Sequence, residues 1–489
     1  MAALRRPLGR GLLISVFAAA VELGRVLRRR EVSSVELTRL FLDRLATLGP
    51  RLNTLAELTP DLALRQARRA DRLLRRGEAA SPLHGVPYGA KDLLATKGIP
   101  TRWGAPPCRD QVFDYDAAVI RRLEEAGAVL IGKLAMVEMA GGGGYHFASA
   151  SLHGPGLNPW NLNHWSGGSS SGSGSAVAAG LVPYALGSET WGSITTPSAY
   201  CGVTGLRPTR GLVSRHGAME LAASMDKIGP MARSAADCGW VLQAIAGYDP
   251  RDVWSVGRGF RFSRRPRPRR FRLGVLPLDY ADDPGDVATE RAFEESVRVL
   301  RRSGMTIATV SWPDHPFAEI GRTVLAAETA AVHEEFIKSA RLEQLVDAAQ
   351  RDGLRRYLEL PAAKYIQVLH QRAAATRAVR GLFNRFDALV APALLGEAVT
   401  LDTNLSQRFG TRRSGSSVLG AVAGVPALVL PMGFGPTGLP LGLSITGDLF
   451  SENTLLQIGM LYQRETDWHL RRPPSIEESG GETPSGERI

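Results

Sequence analysis

The segment of residues 167–180, GGSSSGSGSAVAAG, limits the possible folds of this chain more than any other feature. It holds five glycines and five serines in fourteen positions and continues directly into the apolar run LVPYALG of residues 181–187. A flexible Gly/Ser linker does not end in a buried stretch, whereas small apolar residues followed by this run indicate a helix, a turn and a buried strand. The sequence therefore predicts a tight Gly/Ser turn packed against the core.

Helical and strand patterns alternate along the chain. Residues 271–278 and 306–312 predict strands and residues 286–304 predict a helix, which together make a βαβ unit with two parallel strands. Residues 316–386 are almost wholly helical in pattern and predict a cap or subdomain. We expect an α/β fold with a mixed, mostly parallel central sheet, helices on both faces and a helical cap or insertion.

The same patterns divide the chain, whose 489 residues suffice for a large core with additions. The expected parts are an N-terminal helical segment (1–75), a core that carries the reactive residues (76–260), a basic linker with the βαβ unit (261–315), a helical cap for substrate specificity (316–386), the C-terminal part of the core sheet (387–475) and a polar tail (476–489).

Positive charge is spread rather than concentrated. The chain has 59 Lys+Arg against 48 Asp+Glu, a net charge of +11, and the basic residues are dispersed over amphipathic helices such as residues 62–77. The densest run, RFSRRPRPRRFR at 261–272, predicts a solvated linker, since no nucleic-acid-binding motif accompanies it. We expect no nucleic-acid partner; the partners expected are a small-molecule substrate and water, and the chain is expected to be a monomer or homodimer.

Cysteine spacing and the N-terminus bear on the compartment. Cys108, Cys201 and Cys238 lie far apart without C-x-x-C spacing, which suggests neither a disulfide framework nor a zinc site. Residues 1–20 resemble a signal peptide, but the helical spacing continues through residues 23–27, so cleavage there would truncate an amphipathic helix. We expect a cytoplasmic chain, with a signal peptide left open, and no membrane span because the apolar run is too short.

Several familiar chemistries lack their residues. The Gly/Ser segment has no lysine where a P-loop needs one, and the nine histidines include no H-E-x-x-H or other close pair. We therefore expect no cofactor and no metal. Gly168 to Gly172 does satisfy the G-x-S-x-G nucleophile elbow with Ser170, although the preceding residues 158–167 are polar instead of a buried strand. An α/β-hydrolase-type esterase that uses Ser170 is one alternative.

Two further segments accompany the Gly/Ser segment. They are HGVPYGAKDLLATKGIPT (84–101), which contains Lys91, and GSETWGSITTPSAYCGVTGLRPTRG (187–211), which contains Ser193. Together the three segments resemble the amidase signature family of serine hydrolases, which cleave C–N bonds. The likeness continues in MDKIGPMARSAADC (225–238) and through the last apolar strands, so it covers nearly the whole chain.

This resemblance implies a Ser-Ser-Lys triad. Ser193 would be the nucleophile that forms an acyl- or carbamoyl-enzyme, Ser169 the bridging serine after a cis peptide, and Lys91 the base. A free lysine is almost wholly protonated at neutral pH. The apolar neighbours of Lys91 in the sequence predict burial, which lowers the pKa of an amine.

The resemblance also implies an oxyanion hole built from the backbone N–H groups of Thr190, Trp191, Gly192 and Ser193. A glycine is common in the family at the position of Trp191, so the chain departs from the pattern there. The Trp191 indole is expected either to face the substrate or to pack on the sheet, and the sequence leaves both open.

The substrate pocket is predicted from a run of glycines. Gly141, Gly142 and Gly143 stand where the family often has bulkier residues, so they form either a structural turn or a widened acyl pocket with Tyr145 and Trp191 as walls. A wide pocket favours aryl amides or carbamates, as in aryl acylamidases and urethanases. The other alternative is a glutamine amidotransferase component of the A type, which works with a tRNA-bound partner.

Overall fold

The computed structural model describes residues 5–8, 12–264, 270–277, 284–410 and 417–474. The strands are β1 Arg5–Leu8, β2 Leu12–Ser15, β3 Leu55–Leu58, β4 Pro87–Lys91, β5 Val129–Leu134, β6 Leu157–Asn158, β7 Asn161–Trp165, β8 Tyr184–Glu189, β9 Thr204–Arg207, β10 Lys227–Ala232, β11 Arg272–Val275, β12 Thr306–Thr309, β13 Ala388–Pro392, β14 Ala427–Phe434 and β15 Pro440–Thr446. The polar tail, the centre of the basic linker and part of the N-terminal apolar run lie outside the described residues.

Helices separate most of these strands in the sequence. They are α1 Ala20–Arg28, α2 Ser34–Leu48, α3 Pro60–Arg76, α4 Ala118–Glu125, α5 Ser171–Ala178, α6 Thr195–Cys201, α7 Ala235–Ile245, α8 Pro284–Arg302, α9 Phe317–Lys338, α10 Ala348–Tyr357, α11 Ala362–Leu382, α12 Leu405–Gly410, α13 Ser417–Ala423 and α14 Glu452–Glu465. In the described part of the chain, no helix is both long and apolar enough to cross a bilayer.

Eleven strands form one central sheet in the order β12-β11-β13-β15-β14-β9-β10-β8-β4-β5-β3. The mixed α/β class is confirmed, and the predicted βαβ unit is present as β11, α8 and β12 with parallel pairing. Strand β4 also has two parallel neighbours, β5 and β8.

The predicted predominance of parallel pairs is wrong, because antiparallel pairs occupy the middle of the sheet, from β13 to β8. β14 and β15 are joined by a short loop, which permits only antiparallel pairing. Almost every residue of these strands is buried. Strands that are buried on both faces are typical of parallel sheets, so their sequence did not reveal their direction.

The predicted helical cap is formed by α9, α10 and α11. Apolar side chains of α9 and α11, such as Ile320, Val324 and Val368, share one buried cluster with Leu389 of β13 and Val418 of α13. The cap is therefore anchored to the sheet by its own apolar contacts, and Gly321 of α9 lies against the ring of Trp191, which follows β8.

Candidate active site

Two adjoining parallel strands position the predicted base beside the predicted nucleophile turn. Lys91 is the last residue of β4, and its neighbour β8 ends at Glu189, just before the turn that carries Ser193. The carboxyl ends of parallel neighbours lie at the same edge of a sheet, which is where α/β proteins place their reactive groups. Ser169 reaches this edge from the loop before α5.

Lys91 has a fully buried side chain and two hydroxyl partners. Its Nζ donates to Ser169 Oγ at 2.7 Å and to Ser188 Oγ at 3.0 Å. Burial lowers the pKa of Lys91 to about 7, although the nearby carboxylates of Asp226 and Glu189 act in the opposite direction. An amine with this pKa is present in its neutral form at physiological pH, so Lys91 can act as a base.

The Gly/Ser segment is a closely packed turn, as predicted. The Gly168–Ser169 peptide is cis, which agrees with the expectation for the bridging serine. A Cβ at Gly168 would lie 2.7 Å from the Trp165 ring, and one at Gly172 would lie 2.6 to 2.7 Å from main-chain atoms of Thr54 and Ala135. Only glycine allows the segment to approach the Trp165 ring and the main chain at Thr54 and Ala135 this closely.

Ser170 does not occupy a nucleophile elbow. Its hydroxyl is buried and is held by the main chain of Ser188, to whose carbonyl it donates at 3.2 Å and from whose N–H it accepts at 3.3 Å. The preceding strand β7 forms a two-stranded ribbon with β6 and an isolated bridge with Thr400, and it is not part of the central sheet. Because an elbow needs a strand of the central sheet before it, the geometry does not support the esterase alternative.

Glu189 holds the start of the nucleophile helix. One carboxylate oxygen accepts from the backbone N–H groups of Ile194 and Thr195, each at 2.8 Å. The other oxygen accepts from the Arg207 guanidinium at 2.7 Å in a fully buried ion pair. A buried carboxylate at a helix start satisfies N–H groups that the helix itself leaves open, and this arrangement fixes the turn that presents Ser193.

The turn before Ser193 keeps its own N–H groups available. Within the described part of the chain, the N–H groups of Trp191, Gly192 and Ser193 donate to no other atom. The carbonyl oxygen of Ser193 accepts from the N–H of Ser170 at 3.2 Å, which joins the turn to the Gly/Ser segment. No hydrogen bond links the Ser193 hydroxyl to that of Ser169 among the described residues.

A cavity of about 210 Å³ opens in front of Ser193. Its lining is Ala140, Gly141, Tyr145, Trp165, Gly168, Thr190, Trp191, Gly192, Ser193, Thr196, Leu221, Leu325, Leu394 and Ser417. None of these lining residues is charged. Residues 411–416, which precede Ser417, lie outside the described residues. Aromatic and aliphatic walls around a polar reactive point suit an uncharged acyl group.

The predicted glycine wall is divided between two roles. Gly141 and Tyr145 line the cavity. Gly142 and Gly143 do not, because a Cβ at Gly142 would meet Leu221, and one at Gly143 would run into the main chain of Gln350 in α10. These two glycines allow the loop to pack against neighbouring elements, so the structure places them in a turn instead of in the pocket wall.

The Trp191 side chain both borders the cavity and packs on the helical cap. It lines the space in front of Ser193, and a Cβ built on Gly321 of α9 would lie 2.6 Å from its ring. The sequence left substrate contact and sheet packing open. The packing partner is α9 and not the sheet, since the ring sits at the edge of the apolar cluster that contains Ile320 and Val324.

Sequence reasoning missed Ser188. Ser188 is a second partner of Lys91, and the only signal for it is its place in the Ser193 segment. Asp226 braces two loops, since it accepts from Thr190 Oγ1 and from the N–H groups of Leu221 and Ala222.

In the described residues, no group of three or more His, Cys, Asp or Glu side chains is arranged to hold a metal ion.

Comparisons with known proteins agree on one family. The family model Amidase matches residues 36–456. The A component of glutamyl-tRNA(Gln) amidotransferase from Methylococcus capsulatus is 37% identical over 482 residues, which cover 93% of this chain and 98% of that protein. The native peptide amidase from Stenotrophomonas maltophilia superposes with a TM-score of 0.83 at 33% identity, covering 94% of this chain and 98% of that one. A bacterial aryl acylamidase superposes with a TM-score of 0.84, covering 96% and 99%, but at 22% identity this likeness concerns the fold alone.

Proposed function

The chain belongs to the amidase signature family, and from this premise we propose that it hydrolyses C–N bonds through Lys91, Ser169 and Ser193. The observation that carries the proposal is the fully buried Lys91 amine, 2.7 Å from Ser169 Oγ and with its pKa lowered to about 7 by burial. A general base is most effective when its pKa lies close to the pH at which the enzyme works.

Acylation follows from these positions. Neutral Lys91 takes the Ser169 hydroxyl proton while Ser169 takes that of Ser193, because a hydroxyl can donate and accept at once. The Ser193 oxygen bonds to the carbonyl carbon, and the free N–H groups of the turn stabilise the oxyanion. The relay then returns the proton to the nitrogen as the C–N bond breaks, which releases the amine and leaves an acyl-enzyme.

Water completes the cycle. Its proton passes through Ser169 to Lys91 as its oxygen attacks the acyl carbon, and the ester bond to Ser193 then breaks. Ser193 recovers its proton from the relay and the carboxylic acid, or carbamic acid from a urethane, leaves. The contact between the Ser169 and Ser193 hydroxyls that the relay requires belongs to the proposal.

Trapping the covalent adduct tests these assignments. Intact-mass measurement and peptide mapping after rapid acid quench should locate an acyl group on Ser193, and Ser193→Ala should remove it. The matched control is Ser175→Ala. Ser175 is a buried serine of α5, and its hydroxyl donates to the Leu157 carbonyl oxygen at 2.8 Å. An adduct on a different serine in the wild type would refute the assignment.

The cavity supports a substrate with an apolar, uncharged acyl group, in keeping with aryl amides or urethanes. Tyr145, Trp165 and Trp191 supply aromatic surface and Leu221 and Leu325 supply aliphatic surface around Ser193. Burial of an aryl group on such surfaces is favourable by about 25 cal/mol per Å². The helical cap contributes Leu325 to this wall, which supports the specificity role expected for residues 316–386.

Glutamine hydrolysis, as the A component of an amidotransferase, is the second candidate. It is supported by relatives of that name at 37% identity that are matched over nearly their full length, more directly than an aryl amide or urethane is supported by any relative. Free glutamine carries an ammonium and a carboxylate, and buried charges need charged partners. No such partner lines the described part of the cavity.

One assay separates the two candidates. The purified chain is incubated with 4-nitroacetanilide, an N-phenyl carbamate, benzamide and glutamine, and release of amine or ammonia is measured. Turnover of the aryl substrates without glutaminase activity supports the first candidate. Glutaminase activity that rises with a partner protein, without aryl turnover, supports the second and overturns the first.

A further inference from the structure

A second buried lysine lies next to the nucleophile turn and takes no part in the proton relay. Lys227 is the first residue of β10, stands opposite Glu189 in the sheet and is almost fully buried. Its Nζ donates to the Thr190 carbonyl oxygen at 3.1 Å. Lys227 does not border the cavity in front of Ser193. With Ser188 and Asp226 it lines a small neighbouring space, which shares Thr190 and Leu221 with that cavity.

The contact with Thr190 fixes the direction of the next N–H group. The Thr190 carbonyl and the Trp191 N–H belong to one peptide, which is trans. In a planar trans peptide the C=O and N–H point in opposite directions. The hydrogen bond that draws the carbonyl towards Lys227 therefore turns the Trp191 N–H away from Lys227. Trp191 borders the cavity, and no described atom accepts its N–H.

We infer that Lys227 is a positioning residue of the oxyanion hole, which holds the Thr190–Trp191 peptide so that the Trp191 N–H meets the oxyanion. This inference rests on the proposed function, since the oxyanion forms only when Ser193 attacks a carbonyl. A donor that is already aimed before the reaction stabilises the developing charge without reorganisation.

The other side of Thr190 is held as well. Its hydroxyl donates to Asp226, and the same carboxylate accepts from the N–H of Leu221 at 2.7 Å. Burial lowers the pKa of Lys227 well below the ordinary value of a lysine. A neutral amine still has two N–H donors, so the bond to the carbonyl does not depend on a full charge.

Two isosteric variants isolate this hydrogen bond. Methionine and glutamine have side chains of similar length, but only glutamine can donate to the Thr190 carbonyl. The probes are turnover of 4-nitroacetanilide, inhibition by 2,2,2-trifluoroacetophenone, which forms a tetrahedral oxyanion on the serine, and inhibition by acetophenone, which occupies the same space without an adduct. Lys133→Met is the control for loss of a buried lysine. Lys133 lies on β5, which β4 separates from β8, and it donates to Thr101 and pairs with the buried Asp92 carboxylate at 3.4 Å.

Lys227→Met should lower kcat about tenfold and raise the inhibition constant of trifluoroacetophenone about tenfold. KM and the inhibition constant of acetophenone should change less than twofold. This loss is smaller than the roughly 100-fold cost of deleting an oxyanion donor outright, because the N–H itself remains. Lys227→Gln should recover part of the loss, and Lys133→Met should change the two ketone affinities equally.

The inference would be overturned if Lys227→Met lost affinity for both ketones to the same extent. It would also be overturned if the methionine and glutamine variants had the same kcat and the same ketone affinities. If the methionine variant fails to fold, Lys227→Gln is compared with the wild type instead. The inference would then be overturned if Lys227→Gln showed no selective change in trifluoroacetophenone binding. Absence of any adduct on Ser193 in the wild type would instead contradict the proposed function.

Discussion

Replacing Lys91 by methionine should change how the stability of the protein depends on pH. The ordinary pKa of a lysine is 10.5, and burial lowers that of Lys91 to about 7. Between these two values the unfolded chain binds a proton that the folded chain does not, so the free energy of unfolding of the wild type rises with pH. Below about pH 7 both states are protonated, and the folded state bears the full cost of a buried ammonium.

The linkage relation gives the size of the effect. From pH 6 to pH 9 the wild type should gain about 3 kcal/mol of unfolding free energy relative to Lys91→Met. Over the whole range from below 7 to above 10.5 the gain is about 5 kcal/mol, because one pKa unit corresponds to about 1.4 kcal/mol. The hydrogen bonds lost with the amine shift the variant by a constant amount and do not affect this slope.

Equilibrium urea unfolding at several pH values from 6 to 9 measures the difference between the two proteins. The exposed Lys97 provides a matched control, because Lys97→Met should track the wild type at every pH. In parallel, kcat/KM of the wild type should rise about tenfold per pH unit below 7 and level off above it, because only the neutral amine is a base. A wild-type to Lys91→Met difference that stays constant between pH 6 and 9 would refute the low pKa.

Three further changes test other parts of the site. Gly321→Ala should press the Trp191 ring into the cavity, since the new Cβ would lie 2.6 Å from it; we expect kcat/KM to fall roughly tenfold for aryl amides and less than threefold for small aliphatic amides, and equal falls would contradict the contact. Ser188→Ala removes an oxygen that accepts from the base at 3.0 Å; because this oxygen stabilises the ammonium, the midpoint of the kcat/KM profile should move to lower pH, and an unchanged midpoint would argue against its role. Glu189→Gln leaves the buried Arg207 without its carboxylate; urea unfolding should record a loss of about 3 to 5 kcal/mol, and a loss below 1 kcal/mol would refute the importance of the pair.

The sequence predicts the triad residues through its resemblance to the amidase signature family, because the residues that carry this resemblance stand in short, contiguous segments. Lys91, Ser169 and Ser193 each stand in a segment whose turn residues and apolar flanks determine local structure, and the fold brings Lys91 against Ser169. The βαβ unit and the helical cap follow from periodicity, which also acts locally.

The sequence does not predict contacts between distant segments. The sequence left a structural turn and a pocket wall both open for Gly143; it packs against Gln350, more than 200 residues away, and no local pattern records that approach. The strand directions in the middle of the sheet were misjudged for a related reason. A strand that is covered on both faces is apolar throughout whether its neighbour runs parallel or antiparallel.

The sheet and the helical cap contribute different parts of the site, which has a practical consequence. The strand ends of β4 and β8 support the proton-transfer groups, whereas α9 supplies Leu325 to the cavity and backs the Trp191 ring through Gly321. Substitutions on α9 can therefore alter which acyl group is accepted while the spacing of base and nucleophile stays fixed by the pairing of two strands. For directed evolution towards a new amide, a library on α9 that keeps Gly321 samples selectivity, while the pairing of β4 with β8 still supports the proposed base and the turn of the proposed nucleophile.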